Sequence, residues 1–589
     1  MRNRLLLLVL LTGIATLAET PADRVYRNGV VFTADARNTI AEAVAIREGR
    51  IVYVGPNAGA APFVGSKTVV TDLGGKFLMP GLVDGHMHPL EAGLKLLKCS
   101  LNYESLTIPA MQQRIQACLD REPAKEPDTW LEVVSWFQES MRPAGTKTSR
   151  AVLDALKTKR PILVSSSYGH TALVNSRALA LAGITSKTPD PLGGKIWHDA
   201  NGDPTGLLED AAQGLVDKLL PASSPEENTE AALLAVQQMR RQGITSFLDA
   251  AAASEDLVAF TAVQREGGLT IRAHFAPVID PNEAPDPEKA VARITALAKQ
   301  YDQGPLKTAP SITLRNAKFF LDGVIAAPAL TGAVVEPYIL NTGTSDNPHW
   351  AVSNNRGPDI YFPPEPLSKM LTGLGQNGID PHLHADGDRA VRAALDGIAA
   401  LRKALPKADI RPAIAHDELV HPADLPRYRE LNAVPVLSFQ WEKPAGDTLG
   451  LTPYMGPDRM KILEPAGLLA NAGARIAFGS DWPVDKLDEW LAFKVGVTRT
   501  DVPGAPAEYR VRLGDDPGLS PGAVLRAATI DAAYELHEDD VTGSLEAGKF
   551  ADLIVLDRNP LKIPPDDIAN VKVLETVVGG KVVYQASGK

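Results

Sequence analysis

The sequence predicts an α/β protein: a (β/α)8 TIM-type barrel with insertions, beside a small composite β-sandwich domain built from both chain ends. Three observations predict it. Short apolar runs alternate with helix-length amphipathic segments through the long middle of the chain. Both ends alternate apolar and polar residues between turn signals. The 589 residues exceed what one minimal domain of ~100–200 residues requires.

The elements follow in chain order. Met1-Arg-Asn-Arg precedes the apolar run Leu5–Ala18, which is shorter than the ~20 residues that span a bilayer. A basic start, an apolar stretch and small residues at its end read as a signal peptide over 1–18. The chain is thus expected to be exported, periplasmic or secreted, with no membrane attachment after cleavage. Residues 19–78 read as the first part of the sandwich, with Val25–Thr33, Ala43–Ile46, Ile51–Val54 and Val69–Leu73 as strands and Gly49-Arg50 as a hairpin turn. Residues 531–589 read as its second part, with Asp552–Asp557, Val571–Val578 and Lys581–Tyr584 as strands and Gly579-Gly580 as a tight turn. Neither end carries enough strand to close a sandwich alone, so the two are expected to pack together.

Residues 79–530 read as the barrel. Ile162–Ser165, Thr245–Leu248, Lys318–Leu321, Ala413–His416, Val434–Ser438 and Ile476–Gly479 are strand-like, and Thr229–Gln242 and Ala390–Ala404 are helical. This stretch exceeds the ~250 residues typical of such a barrel, so an insertion is expected, at about 94–223.

Composition narrows the function classes. Hydrophobic residues at 44% and charged residues at 22% exclude a disordered, collagen-like or coiled-coil chain. A net charge of −11 argues against a general nucleic-acid binder. Two cysteines exclude a zinc module held by four. In an oxidising compartment Cys99 and Cys118 can form one disulfide; the alternative is two buried thiols.

The sharpest local pattern is Pro80-Gly-Leu-Val-Asp-Gly-His86-Met-His88-Pro. In an extended chain residues i and i+2 face the same side, so two imidazoles can converge on one cation. Further on, His384, His416 and Asp481 each end an apolar run, where a barrel strand reaches its C-terminal rim. Gly373-Leu-Gly375-Gln-Asn-Gly378 matches a dinucleotide fingerprint in letters, but it follows a helical pattern and precedes a strand, the reverse of the required order.

These residues, with Ser167-Tyr-Gly-His170-Thr-Ala, Lys318-Phe-Phe-Leu-Asp322-Gly, His384-Ala-Asp-Gly-Asp-Arg-Ala and Gly543-Ser-Leu-Glu-Ala-Gly-Lys, resemble the metal-dependent amidohydrolase superfamily, and within it amidohydrolase family 3, the YtcJ-like branch. The resemblance runs from about Val25 to Tyr584. It implies that His86, His88, His384, His416 and Asp481 hold one or two divalent metal ions, zinc first among them. It implies that Lys318 is carboxylated by CO2 to a carbamate that bridges two metals. Asp481 is then both ligand and proton shuttle in the hydrolysis of an amide or N-acyl bond of a small molecule. His170 either binds the substrate oxygen or is a structural rim histidine. His382, two residues before His384, is either a neighbour of the ligands or core packing. Tyr168 and Asp386 depart from the pattern of the branch. A mononuclear deaminase, an esterase or lactonase on the same scaffold, and a non-catalytic binding protein are the other readings, and a homodimer is open.

Overall fold

The computed structural model describes residues 20–121, 128–138, 140–143, 145–167, 169, 171–191, 194–327, 329–344 and 347–587. The leader read over 1–18 lies outside them. Among the described residues no helix is long and apolar enough to cross a membrane.

Eight strands form the centre: β1 Leu82–Met87, β2 Ile244–Ala252, β3 Arg272–Pro277, β4 Asn316–Phe320, β5 Asp380–Ala385, β6 Ala413–His416, β7 Val434–Leu437 and β8 Ala477–Phe478. β1 to β3 pair in parallel, and so do β4 to β8. Both seams between the two sheets are bridged. Val278, just after β3, pairs with Lys318 on β4, and the Ile279 N–H donates to the Lys318 carbonyl at 2.9 Å. At the other seam the Asp481 N–H donates to the His86 carbonyl at 2.7 Å. The ring closes as a parallel barrel, as the sequence predicts.

The strands read as continuous apolar runs because both faces are covered. Outside lie α1 Pro225–Gln242, α2 Ser254–Arg265, α3 Pro287–Tyr301, α4 Pro364–Gln376, α5 Asp388–Ala404, α6 Leu425–Leu431, α7 Ala466–Asn471 and α8 Glu489–Thr498. α1 shows why these segments are helices. Ser224 and Glu227 form a capping box, Pro225 opens the first turn, and Gly243 closes the helix in the left-handed region. The Gly373–Gly378 stretch is the last turn of α4 and its exit, with Gly378 at φ 69°, a helix stop rather than a phosphate loop. Inside the barrel, Val83, Leu248, Ala276, Ala413, Ala415, Val434, Val436 and Ala477 pack with Ala532, Ala533 and Leu536. The small strand residues make room for the short helix Ala532–Glu535.

The two chain ends share one sheet. Leu553–Leu556 pairs antiparallel with both Phe77–Pro80 and Val573–Val578, and Val30–Phe32 joins the far side of Phe77–Pro80. A second sheet, ordered Arg50–Gly55, Ala43–Arg47, Arg24–Arg27, Val69–Asp72, packs against it through Tyr26, Val44, Ile46, Ile51, Leu78, Leu553 and Val577. Here the sequence reading needs correction. Val25–Thr33 is two strands, because Asn28 at φ 58° turns the chain from one sheet into the other. Ile162–Ser165, a strand-like run inside the stretch expected as the insertion, is a strand but not one of the eight of the barrel. It lies in Ile162–Ser166, within a separate six-stranded sheet of the insertion, which has its own core around Trp136, Leu153 and Val164.

Cys99 and Cys118 are joined as a disulfide, tying Cys99–Ser100 to the helix Ile108–Arg121. Closing a loop of 19 residues is expected to stabilise the fold by about 3 kcal/mol through the unfolded chain. Denaturant unfolding of the Cys99→Ser/Cys118→Ser double variant measures it, and a midpoint equal to the parent's removes the effect.

Candidate metal centre

The C-terminal ends of the strands bring the sequence-predicted ligands together. His86 Nε2 lies 3.6 Å from Asp481 Oδ1, and His88 Nε2 lies 3.0 Å from the same oxygen. His416 Nδ1 is 3.9 Å from Asp481 Oδ2, and the His384 and His416 ring centroids are 4.5 Å apart. The Lys318 amine sits 3.4 Å from His86 Nε2. All six side chains line one cavity of about 210 Å³. The substrate-binding role read for His170 falls on a residue outside the described set.

The backbone around this group is held by polar side chains that the sequence reading gave no role. The carboxylate of Asp84 accepts the N–H groups of His86, at 3.1 Å, and Ser480, at 3.0 Å, which ties the first ligand strand to the loop carrying Asp481. Across the barrel Asp322 accepts the N–H groups of Ala333, Asp386 and Gly387 and fixes the loop after His384. Two glycines let the seam close. A Cβ on Gly85 would lie 2.2 Å from Glu535 Oε2, and one on Gly479 would lie 2.5 Å from His86 Cβ. His416, at φ 80°, and Asp481, at φ 51°, occupy the left-handed region, at ~1–3 kcal/mol each, a strain that clusters at functional sites.

Behind His86 runs a buried relay. His86 Nδ1 is 2.8 Å from His382 Nε2, and His382 Nδ1 faces Glu535 Oε1 at 3.1 Å. With His382 Nε2 accepting the His86 Nδ1–H, the Nε2 lone pair of His86 is directed toward Asp481 and Lys318. His382 is thus a neighbour of the ligand set, and Glu535 comes from the segment read as sandwich. Glu535→Gln is expected to weaken metal binding about 10–100-fold, measured by competition with a chelator. Unchanged affinity would assign Glu535 to packing alone.

The electrostatics suit a cation. Burial, reinforced by neighbouring positive charge, holds the imidazoles of His86 and His416 well below their usual range and that of His384 at about 3, so their lone pairs are available. Burial also pulls the Lys318 amine down to about 7, against the opposing pull of Asp481 and Asp386. Asp481 Oδ1 is buried and accepts no hydrogen bond. Neutral imidazoles and an unsatisfied carboxylate oxygen, converging from different strands, fit a divalent ion of the zinc type. His86, His88 and Asp481 form one group that could hold an ion, and His384, Asp386 and His416 a second.

Comparison with known proteins agrees. The amidohydrolase family profile matches residues 69–584. The amidohydrolase YtcJ of Bacillus subtilis is 27% identical over 96% of this chain and 99% of its own. N-substituted formamide deformylase of Arthrobacter pascens is 26% identical over 95% of this chain and 98% of its own. A metal-dependent hydrolase structure from Pyrococcus horikoshii shares the fold, with a TM-score of 0.68 at 22% identity over 92% of this chain and 99% of that one. The family match spans the barrel and the C-terminal part of the shared sandwich, and the chain therefore belongs to the amidohydrolase family, the metal-dependent hydrolases of carbon–nitrogen bonds.

Proposed function

We propose that the protein is an exported amidohydrolase that cleaves an amide or N-acyl bond of a small molecule, with Asp481 moving the proton. The observation that carries this reading is the position of the Asp481 carboxylate, within 3.0–3.9 Å of three imidazoles at the edge of a cavity. His86, His88, Lys318, His384, His416 and Asp481 would hold one or two divalent ions. When bound, such an ion supplies a nucleophilic water at neutral pH and polarises the scissile carbonyl. Asp481 accepts the proton that this water loses on attacking the carbonyl carbon, and delivers it to the nitrogen as the C–N bond breaks. The Asp481 N–H bond to the His86 carbonyl holds the carboxylate at the imidazoles through both transfers.

Lys318 contributes as a carbamate. Its amine nitrogen bonds to the carbon of CO2, a proton leaves to solvent, and the side chain becomes an anion able to meet a cation. An amine drawn to about 7 by burial supports this, because the neutral form is the nucleophile. The Arthrobacter pascens relative, named for deformylating N-substituted formamides, supports an N-acyl substrate. Export is supported by the Cys99–Cys118 disulfide, a bond that persists in oxidising compartments.

The test is metal analysis of the purified protein, coupled to a panel of N-formyl and N-acetyl amines, esters and lactones. Bound divalent metal with hydrolysis of an amide is the expected result. Turnover confined to esters or lactones would overturn the carbon–nitrogen reading.

A further inference from the structure

The cavity beside the ligand set has an uneven lining. Phe320, Trp441, Leu451 and Leu463 make an apolar wall. Three carboxylates besides Asp481 also face it: Asp386, Glu418 and Glu464. Apart from the histidines, Lys318 is the sole basic side chain among the described residues that line it.

Asp386 is the informative member. It is 2% exposed, and its Oδ1 accepts no hydrogen bond. The nearest ring nitrogen, His384 Nε2 at 3.5 Å, is already engaged with the Gly323 carbonyl at 2.9 Å. Asp322 takes the N–H groups of Asp386 and Gly387, so the loop backbone cannot easily turn the side chain away. A buried carboxylate oxygen left unpaired is costly, and a charged donor entering the cavity removes that cost. Gathered carboxylates with apolar walls select a positive charge carried on an apolar body.

We propose that Asp386, with Glu418 and Glu464, forms an ammonium-binding subsite in this cavity, and that the preferred substrates of the enzyme carry a protonated amine. The proposal rests on the hydrolase reading of the same site. An ammonium group offers three N–H donors and no acceptor, which complements the unpaired Asp386 Oδ1. The amide to be cleaved then lies toward Asp481, across the cavity from the charge.

A matched pair of compounds tests this on the metal-loaded, full-length enzyme: N-acetyl-1,4-diaminobutane, which is cationic, and N-pentylacetamide, its neutral counterpart of equal length. The cationic compound is expected to bind about 10–100-fold tighter by calorimetry, and its kcat/KM to exceed that of the neutral one by a similar factor. In Glu464→Gln, at a residue outside both ion-holding groups, the preference is expected to fall below about threefold with metal content unchanged. Glu418→Gln is expected to reduce the preference in the same direction. Equal binding of the two compounds by the parent enzyme overturns the subsite, whether or not either is hydrolysed. Hydrolysis of the neutral compound at an equal rate overturns it while leaving the hydrolase reading intact. Loss of metal from Asp386→Asn also overturns it, and makes Asp386 a ligand of the ion held by His384 and His416.

Discussion

Asp481→Asn is expected to lower kcat about 10²–10⁴-fold while the protein keeps most of its metal. The substitution keeps the size of the side chain and one coordinating oxygen, but removes the basicity needed to take a proton from water. The geometry supports the proposed shuttle role. Its Oδ1 is buried without a hydrogen-bond donor, and both oxygens face imidazoles from β1, β6 and the residue following β1. Its backbone is pinned by the 2.7 Å bond to the His86 carbonyl and by the Val484 N–H at 2.9 Å, so Asn is expected to occupy the same place. Steady-state rates and metal content measured on one preparation separate the two roles. A variant with full turnover removes Asp481 from proton transfer. A variant that loses metal in proportion to rate makes it a ligand only.

The candidate ligand cluster was legible in the sequence because His86, His88, His384, His416 and Asp481 each lie at or just beyond a strand end, and strand periodicity is short-range. His86 and His88 declare themselves by two-residue spacing, and His384, His416 and Asp481 by ending apolar runs. The groups that hold them were not legible, since they act across the barrel. Glu535 reaches His382 from the segment read as sandwich, and Asp84 joins His86 to Ser480 over a separation of 396 residues. No local pattern encodes such a contact. Strand texture is also blind to which sheet a strand joins. Ile162–Ser166 has the texture of a barrel strand because it too is a buried, parallel-paired strand, in another sheet. Val25–Thr33 looked continuous because alternation persists across Asn28, and only the positive φ there reveals the change of sheet. The composite sandwich was legible as two insufficient halves. That its neighbouring segment would send the helix Ala532–Glu535 against the inside of the barrel was not.

Lys318→Ala is expected to bind less metal than the parent and to lose activity by about 10³-fold or more. The argument starts from charge. Lys318 is fully buried, its amine 3.4 Å from His86 Nε2 and 4.7 Å from the Phe320 ring centroid. A cationic amine at that point would oppose a divalent ion held by the surrounding imidazoles. The same burial draws the amine to about 7, so near neutral pH a large share is uncharged and can bond to CO2. In the proposed site, addition of CO2 to the neutral amine would put a negative charge where the ligand set needs one. Two measurements follow. Metal-stripped parent enzyme, reconstituted in buffer depleted of CO2, is expected to regain less activity than the same protein given bicarbonate. Lys318→Ala is expected to be indifferent to bicarbonate, and to hold fewer metal equivalents under both conditions. Carbon NMR of protein loaded with labelled CO2 should show a carbamate signal in the parent and none in the variant. If Lys318→Ala keeps full metal content and rate, the lysine is a buried structural amine and the two-ion site is wrong, whereas the single group formed by His86, His88 and Asp481 would still stand.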